Sequence, residues 1–110
     1  MQNISKETQE KIQSLQILEQ NLQSILMQKQ AFQIELSESE NALEEVKTSK
    51  DEVYRLIGQI MIKSSKTEIE KELSQRKDIL ALRTKAIERQ ETQLKTEIDK
   101  IKKEVMKDIK

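Results

Sequence analysis

The stretch VYRLIGQIMIK, residues 53–63, differs in composition from the sequence on both sides of it. It is rich in Ile, Leu and Val and holds the only Gly, whereas the flanking segments are rich in Gln, Glu, Lys and Leu. Such residues around a Gly are typical of a β-hairpin with a type II′ turn, in which Gly takes the first central position. The stretch therefore predicts two strands with Ile57 and Ile60 as the closing pair, followed by Leu56/Met61, Arg55/Ile62 and Tyr54/Lys63.

Both faces of this hairpin would be largely apolar. One face would carry Val53, Arg55, Ile57, Ile60 and Ile62, and the other Tyr54, Leu56, Met61 and Lys63. An isolated two-stranded hairpin is marginal in water, and its open edges and apolar faces need a cover. Helices that leave one end of the hairpin cannot cover both faces. We therefore predict that hairpins of several chains join into a closed sheet through Val53, Tyr54, Leu56, Ile57, Gly58, Ile60, Met61 and Ile62. The alternative is a short apolar piece of one continuous helix, which Gly58 and the β-branched residues argue against.

The segment before the hairpin carries a heptad repeat. Its seam follows an unbroken 3-4 spacing, which predicts a coiled coil. The positions between the seam residues are mostly Gln, Glu, Ser and Asn, as expected for a polar helix surface. The seam positions are Leu15, Leu18, Leu22, Ile25, Lys29, Phe32, Leu36, Ser39, Leu43 and Val46.

The segment after the hairpin carries a second, half-polar seam. Leu73, Leu80, Ile87, Leu94 and Ile101 recur every seven residues. Lys77, Thr84 and Glu91 take the other seam position before Ile98 and Val105. The sequences Ser65-Lys66-Thr67-Glu68 and Thr67-Glu68-Ile69-Glu70 both fit a capping box, which predicts a helix start near residues 65–67.

The two segments match each other as an antiparallel pair. The residue numbers of Leu43 and Leu73 add to the same total as those of three further pairs, which are Leu36/Leu80, Leu22/Leu94 and Leu15/Ile101. Residues 1–48 carry a net charge of −4 and residues 66–110 a net charge of +3, which also favours their pairing. We predict an intrachain pair, and the alternative is that each helix pairs with another chain. The predicted fold is mostly α, a long antiparallel α-helical coiled coil with one central β-hairpin.

Composition excludes several classes of function. The chain has no Cys and no His, so thiolate catalysis, imidazole catalysis and the usual zinc sites are absent. One Gly is too few for a phosphate-cradling loop, no apolar run approaches a membrane span, and nothing resembles a secretory signal. A net charge of zero and 2% aromatic residues disfavour nucleic-acid binding. We predict a cytoplasmic, non-enzymatic protein without cofactor, metal or membrane contact.

Three stretches carry a resemblance to a known family. They are QKQAFQIELSESENALEEV (28–46), VYRLIGQIMIK (53–63) and LRTKAIERQETQL (82–94). In this order and spacing they closely resemble prefoldin, specifically its archaeal β class and the eukaryotic subunit six. A single hairpin matches the β class, since the α class has two, and Arg55 stands where the family usually has Lys. The resemblance implies one prefoldin-like domain over residues 1–110, with helices at 1–50 and 66–110 and the hairpin at 53–63.

The resemblance also implies a function and partners. It implies a heterohexamer of two α-type and four β-type subunits whose hairpins form an intersubunit β-barrel. Such a complex is an ATP-independent holdase that captures unfolded polypeptides at the ends of its coiled coils and passes them to a group II chaperonin. In this sequence the ends are residues 1–14 and 100–110, and the apolar candidates for client contact are Met1, Ile4, Ile12, Val105, Met106 and Ile109.

Two alternatives stay open at this point. Single exposed apolar residues are common on any protein surface, and the run of lysines from Lys100 to Lys110 is either a solvated helix face or a docking surface for an acidic chaperonin. A structural coiled-coil tether without client binding would fit the same heptads, although it would not need a hairpin with two apolar faces.

Overall fold

The computed structural model describes residues 4–109 and contains two helices and two strands. Helix α1 spans Lys6–Thr48, strand β1 Val53–Ile57, strand β2 Ile60–Ser64 and helix α2 Lys66–Ile109. Two long helices with a central antiparallel β-hairpin are the predicted fold class. The first helix is shorter than predicted at both ends, and the hairpin extends one residue further, to Ser64. None of the described helices is long and apolar enough to cross a membrane.

A serine residue caps the start of each helix. The Ser5 hydroxyl accepts a hydrogen bond from the Thr8 backbone N–H at 3.1 Å, and the Ser65 hydroxyl accepts one from the Glu68 N–H at 3.4 Å. Each bond satisfies a backbone donor that has no partner within the first helical turn. The predicted helix start near residues 65–67 is therefore confirmed, with Ser65 as the N-cap.

The hairpin has the predicted register. Ile57 lies opposite Ile60, and the pairs Leu56/Met61, Arg55/Ile62 and Tyr54/Lys63 follow. Gly58 has a φ of +61°, whereas Gln59 has no positive φ. A left-handed first position and a right-handed second position distinguish a type II′ turn from a type I′ turn. Gly58 thus occupies the position for which the sequence predicts it.

The chain divides into two compact units. One unit comprises Met1–Gln30 and Lys85–Lys110, and the other comprises Ala31–Thr84. Each unit holds a segment of α1 and a segment of α2, and the second unit also holds the hairpin. The single domain expected over residues 1–110 stays a prediction.

In the first unit the two helix segments pair in antiparallel orientation. Thr8 near the start of α1 bonds Asp108 near the end of α2, and Lys29 further along α1 bonds Glu91 earlier in α2. As the residue number rises along α1, the number of its partner on α2 falls, which defines an antiparallel pair. The least exposed side chains follow the 3-4 seam spacing and include Leu15, Leu18, Leu22, Ile87, Leu94, Ile98, Ile101 and Val105.

In the second unit the same spacing continues on both helix segments. Leu43 and Leu80 are buried, and so are the polar seam residues Ser39 and Thr84. Thr84 donates a hydrogen bond to the Leu80 carbonyl at 2.8 Å, which satisfies its hydroxyl within its own helix. Leu36 and Leu73 are half-buried on the same seam. Ser39 and Thr84 thus take seam positions that are usually apolar. The hydroxyl of Thr84 is not left unpaired there.

Candidate functional site

The apolar side chains of the hairpin face solvent in the single chain. Leu56 is 68% exposed, Met61 67%, Ile60 66% and Ile57 55%. Tyr54 and Ile62 are also exposed, and these residues lie on both faces of the two-stranded sheet. Exposed apolar surface of this extent on adjacent residues marks a surface that a partner covers.

One face of the hairpin is anchored at its base. The Arg55 guanidinium forms an ion pair with Glu72 of α2 at 2.6 Å. This hydrogen bond, together with the carboxylate charge, raises the pKa of Arg55 above its already high value. Val53 on the same face is half-buried. The base of this face is therefore occupied by contacts within the chain, while Ile57, Ile60 and Ile62 stay open.

A polar cluster marks the base of the other face. Lys63 forms an ion pair with Glu52 at 2.9 Å, and the Tyr54 hydroxyl donates a hydrogen bond to the same carboxylate at 2.8 Å. The bonds from Lys63 and then Tyr54 lower the pKa of Glu52, and the bond to Glu52 raises the pKa of Tyr54. Leu56 and Met61 beyond this cluster have no such cover.

Lys66 connects the end of α1 to the start of α2 in the second unit. Its ammonium donates hydrogen bonds to the carbonyl oxygens of Lys47 at 3.2 Å and Ser49 at 2.9 Å. Carbonyls at the end of a helix have no partner in the next turn and carry the negative end of the helix dipole, so a cation stabilises them. The contact links the end of α1 to the start of α2, next to the two strands.

The second candidate site is formed in the first unit, where the start of α1 meets the end of α2. Lys11 forms ion pairs with Asp108 at 3.1 Å, Glu104 at 3.7 Å and Glu7 at 3.9 Å. The hydrogen bond to Asp108 is the main cause that raises the pKa of Lys11. Thr8 is almost fully buried and donates a hydrogen bond to the same Asp108 carboxylate at 3.3 Å. These contacts hold the two helix ends together.

Apolar side chains lie at the same helix ends as this polar cluster. Met106 is 65% exposed, and Ile4 and Ile109 are each 39% exposed. Ile12 is half-buried. Val105, also predicted to contact clients, is only 8% exposed because it takes the seam position that follows Ile98 and Ile101. Met1 lies outside the described residues. Within residues 4–109, the exposed apolar surface at the helix ends thus consists of Ile4, Met106 and Ile109.

Charged residues near the end of α2 have partners on both helices. Lys102 pairs with Glu19 of α1 at 3.6 Å, and Lys103 pairs with Asp99 on its own helix at 3.2 Å. Glu104 and Asp108 form ion pairs with Lys11, and they also offset the positive charge of the neighbouring lysines. Sequence reasoning missed this cluster, although the seam pairing that it found would place Thr8 opposite Asp108. The part of the basic run formed by Lys102 and Lys103 is therefore partly neutralised.

A third polar contact lies within the seam of the first unit. Lys29 forms an ion pair with Glu91 at 2.9 Å, and Glu91 also pairs with Lys95 at 2.7 Å. Bonds from Lys95 and Lys29 lower the pKa of Glu91, and the bond to Glu91 raises the pKa of Lys29. Lys29 and Glu91, two of the polar seam residues noted in the sequence, therefore satisfy each other across the helix pair.

The chemistry available at these sites is binding. Among the described residues no group of acidic side chains is arranged to hold a metal ion. The side chains of the hairpin offer apolar area and open strand edges, and the helix ends offer exposed apolar side chains in addition to a closed polar cluster. Surfaces of this kind recognise other polypeptides.

Comparisons with known proteins identify the family. The family model described as "Prefoldin subunit" matches residues 9–110. A prefoldin subunit beta of Methanospirillum hungatei is 32% identical over 99% of this chain and 92% of its own length. The corresponding protein of Thermococcus kodakarensis is 34% identical over 92% of this chain and 88% of its own length.

A solved structure shows the same fold. The crystal structure of the prefoldin beta subunit from Thermococcus strain KS-1 superposes with a TM-score of 0.90 at 30% identity. The match covers 100% of this chain and 98% of that one. The two helices, the single central hairpin and nearly the whole length thus agree with prefoldin beta subunits. The chain belongs to the prefoldin subunit family, a family of chaperone subunits that work in hetero-oligomers.

Proposed function

We propose that this chain is a subunit of an ATP-independent holdase, which captures unfolded polypeptides at the paired helix ends and delivers them to a group II chaperonin. The observation that carries the proposal is the exposure of Ile4, Met106 and Ile109 at the helix ends, which the cluster of Thr8, Lys11 and Asp108 holds together. The apolar side chains at these ends stay available. Weak apolar contacts of several subunits would add up to capture without sequence specificity.

The hairpin would supply the assembly that this function needs. We propose that it joins an α-type subunit and further copies of this chain in a heterohexamer, through a β-barrel built from the strands. The exposure of Leu56, Ile57, Ile60 and Met61 supports this role, because a free chain would not keep such a surface in water without cost. Cytoplasmic localisation is part of the same proposal.

Substitutions at the helix ends test the function. Met106→Gln with Ile109→Gln removes exposed apolar area and keeps the seam and the salt bridges. The matched control is Ile79→Gln with Leu82→Gln, since these two residues are also exposed, are also three apart on α2 and lie in the other unit. Each chain is assembled with an α-type subunit, and suppression of aggregation of a denatured protein is measured without ATP.

The holdase proposal expects loss of suppression in the helix-end variant and full suppression in the control. Equal suppression by both variants would remove the helix ends from client capture. No suppression by the wild-type assembly would favour the structural tether. Delivery is tested separately, by transfer of the captured protein to a purified group II chaperonin, and a client that stays on the wild-type assembly would contradict this step.

A further inference from the structure

Residues 12–30 of helix α1, in the first unit, have an outward face without charge. Between residues 12 and 30 only Glu19 and Lys29 are charged, whereas about half of residues 85–109 on α2 are charged. Both charges are paired with α2, Glu19 with Lys102 and Lys29 with Glu91. Neither is therefore free on the outer face of this segment, in a chain in which 36% of the residues are charged.

The outer face of this segment has a regular composition. Its residues follow a second 3-4 spacing that is offset from the seam, and every one of them is exposed. Five of the six residues are glutamines, and the sixth, Met27, is 72% exposed. Ile17, which is 58% exposed, and Leu26 flank this face. We name it the amide stripe, formed by Gln13, Gln16, Gln20, Gln23, Met27 and Gln30.

The corresponding face of α2 in the same unit is different. It carries Lys85, Arg89, Asp99 and Lys103 together with Thr92 and Thr96. A solvated helix face usually carries interspersed charges of both signs, and α2 follows this rule. The amide stripe does not follow it, although both segments are exposed to the same solvent. Glutamine suffices for a polar helix surface, so the feature that sets the stripe apart is its lack of charge.

The chemistry of the stripe points to one kind of occupant. A glutamine side chain both donates and accepts hydrogen bonds, as a backbone peptide group does, so it can pair with unpaired N–H or C=O groups of any sequence. Met27 and Ile17 offer flexible or branched apolar contacts beside these amides. An uncharged surface also avoids the cost of desolvating a charge and the repulsion of clients of like sign.

Other occupants fit less well. Stable packing of a second helix needs a run of apolar seam residues, and the stripe has one methionine among five glutamines. A strongly charged partner would find no complementary charge on it. We propose that the amide stripe is a second, charge-independent binding surface for the unpaired backbone and apolar side chains of an unfolded polypeptide, continuous along α1 with the start of the helix. The inference rests on the proposed holdase function and names a further part of its client surface.

The length of the stripe sets the size of the bound segment. From Gln13 to Gln30 the helix rises about 26 Å at 1.5 Å per residue. An extended chain covers this length with about eight residues at roughly 3.3 Å each. The helical spacing of the amides does not match the repeat of an extended strand, so the contacts are irregular and individually weak. Such contacts favour capture without selection for sequence.

Charge insertion tests the inference. Gln13→Glu with Gln20→Glu, and Gln13→Lys with Gln20→Lys, place two charges of either sign on the stripe and keep residues that favour helix. The matched controls are Thr92→Glu with Thr96→Glu and Thr92→Lys with Thr96→Lys, on the exposed outer face of α2 in the same unit. Circular dichroism and the size of the assembly with the α-type subunit verify folding of each variant.

The clients are two proteins of opposite charge. Reduced lysozyme is basic and reduced α-lactalbumin is acidic, and the reductant has no target in this chain because it has no Cys. We expect both stripe variants to need roughly five- to tenfold more assembly to suppress aggregation of both clients, since a buried unpaired charge opposes binding whatever its sign. The α2 controls should behave as wild type.

Four results of the capture measurement would overturn the inference. An effect that follows only the sign of the client charge would show ordinary electrostatics. An equal effect of the α2 controls would show a general effect of added charge. Unchanged capture by the stripe variants, together with loss of capture by Met106→Gln with Ile109→Gln, would disprove the stripe and leave the holdase function standing. No capture by the wild type would disprove both.

A crosslinking measurement covers the case in which a charged variant does not fold. A photoreactive benzoylphenylalanine replaces Gln20 in one chain and Thr96 in another, so that neither chain carries an added charge. We expect the denatured client to crosslink at position 20 and not at position 96. Equal crosslinking at both positions, or none at position 20, would contradict the inference.

Discussion

Gly58 has a conformation that other residues rarely adopt. Its φ of +61° lies in the left-handed region, and a Cβ built on it would meet nothing within 4 Å. The need for glycine therefore comes from the backbone and not from crowding. The turn sets the register of β1 against β2, because a two-residue loop leaves no freedom in the pairing of Ile57 with Ile60.

Replacement of Gly58 by alanine should weaken the hairpin locally. We expect Gly58→Ala to cost about 1–2 kcal/mol, the strain of a left-handed residue with a Cβ. Hydrogen exchange of the Arg55 and Ile62 amides should then be roughly 5- to 30-fold faster. Gln59→Ala is the control, because position 59 has no positive φ. Exchange at the wild-type rate in Gly58→Ala would show that the turn changes type at no cost.

At the scale of the helices, polar residues interrupt an otherwise apolar seam. Lys29 lies on the seam of α1 and reaches Glu91 on the seam of α2, which Lys95 also contacts. A partly buried ion pair contributes little net free energy, since desolvation offsets the attraction. The ion pair instead specifies the register of the two helices, because a leucine seam alone allows the helices to slide by a heptad.

Restoration of an apolar residue at this seam position should stabilise the helix pair. Lys29→Leu removes the long cation, and Glu91 keeps its bond to Lys95. We expect the free energy of unfolding to rise by about 1 kcal/mol from the added apolar burial, as measured by urea denaturation. Gln33→Leu, at an exposed position of α1, should have almost no effect. Lower stability of Lys29→Leu would show that the ion pair outweighs the apolar contact.

The contact of Glu91 makes part of the stability depend on pH. The hydrogen bonds from Lys95 and Lys29 lower the pKa of Glu91 below its ordinary value of 4.5. Such a carboxylate contributes its full stabilisation above pH 4.5, and the contribution is lost as the pH falls through the lowered pKa. We therefore expect Glu91→Gln to melt at a lower temperature than the wild type at pH 7.

The difference in melting temperature between Glu91→Gln and the wild type should shrink below pH 4.5 and disappear in stronger acid. Glu97→Gln, which removes an exposed carboxylate from the same helix, is the control and should show a smaller difference at pH 7. A difference in melting temperature that stays constant from pH 7 into strong acid would show that the charge of Glu91 does not stabilise the fold.

At the scale of the whole molecule, the chain leaves a large part of its apolar surface uncovered. The seams bury their residues within each unit, whereas the hairpin exposes six apolar or aromatic side chains over ten strand residues. The proposed assembly through the hairpin would account for this difference, because a surface that a partner covers need not be covered by the chain itself.

Charges on the hairpin should therefore prevent assembly without unfolding the chain. Ile57 and Ile60 lie opposite each other next to the turn, and we expect Ile57→Lys with Ile60→Lys to weaken assembly with an α-type subunit by more than about tenfold. Size-exclusion chromatography with light scattering measures the complex. The control, Ile79→Lys with Leu82→Lys, adds the same charges at exposed residues of α2 and should assemble normally. Normal assembly of the hairpin variant would exclude this face from the interface.

The sequence by itself determined the helices, the hairpin, its register and the positions of the seams. These features depend on local rules, which are the heptad spacing of Leu43 or Leu80, the need for glycine at position 58 and the capping by Ser65. The exposure of Ile4, Met106 and Ile109 also followed largely from their positions off the seam or near the chain ends. The family followed from the combination of these features.

Only the tertiary structure decided which polar groups meet. The pairs Lys11–Asp108, Lys29–Glu91 and Arg55–Glu72 join residues distant in sequence, and a flexible lysine or arginine could reach several carboxylates from each position. Val105 is buried at its predicted seam position, whereas Met106 beside it is exposed. The physical reason is that spacing along the chain defines which face a residue takes, whereas the choice of partner depends on distances across the helix pair.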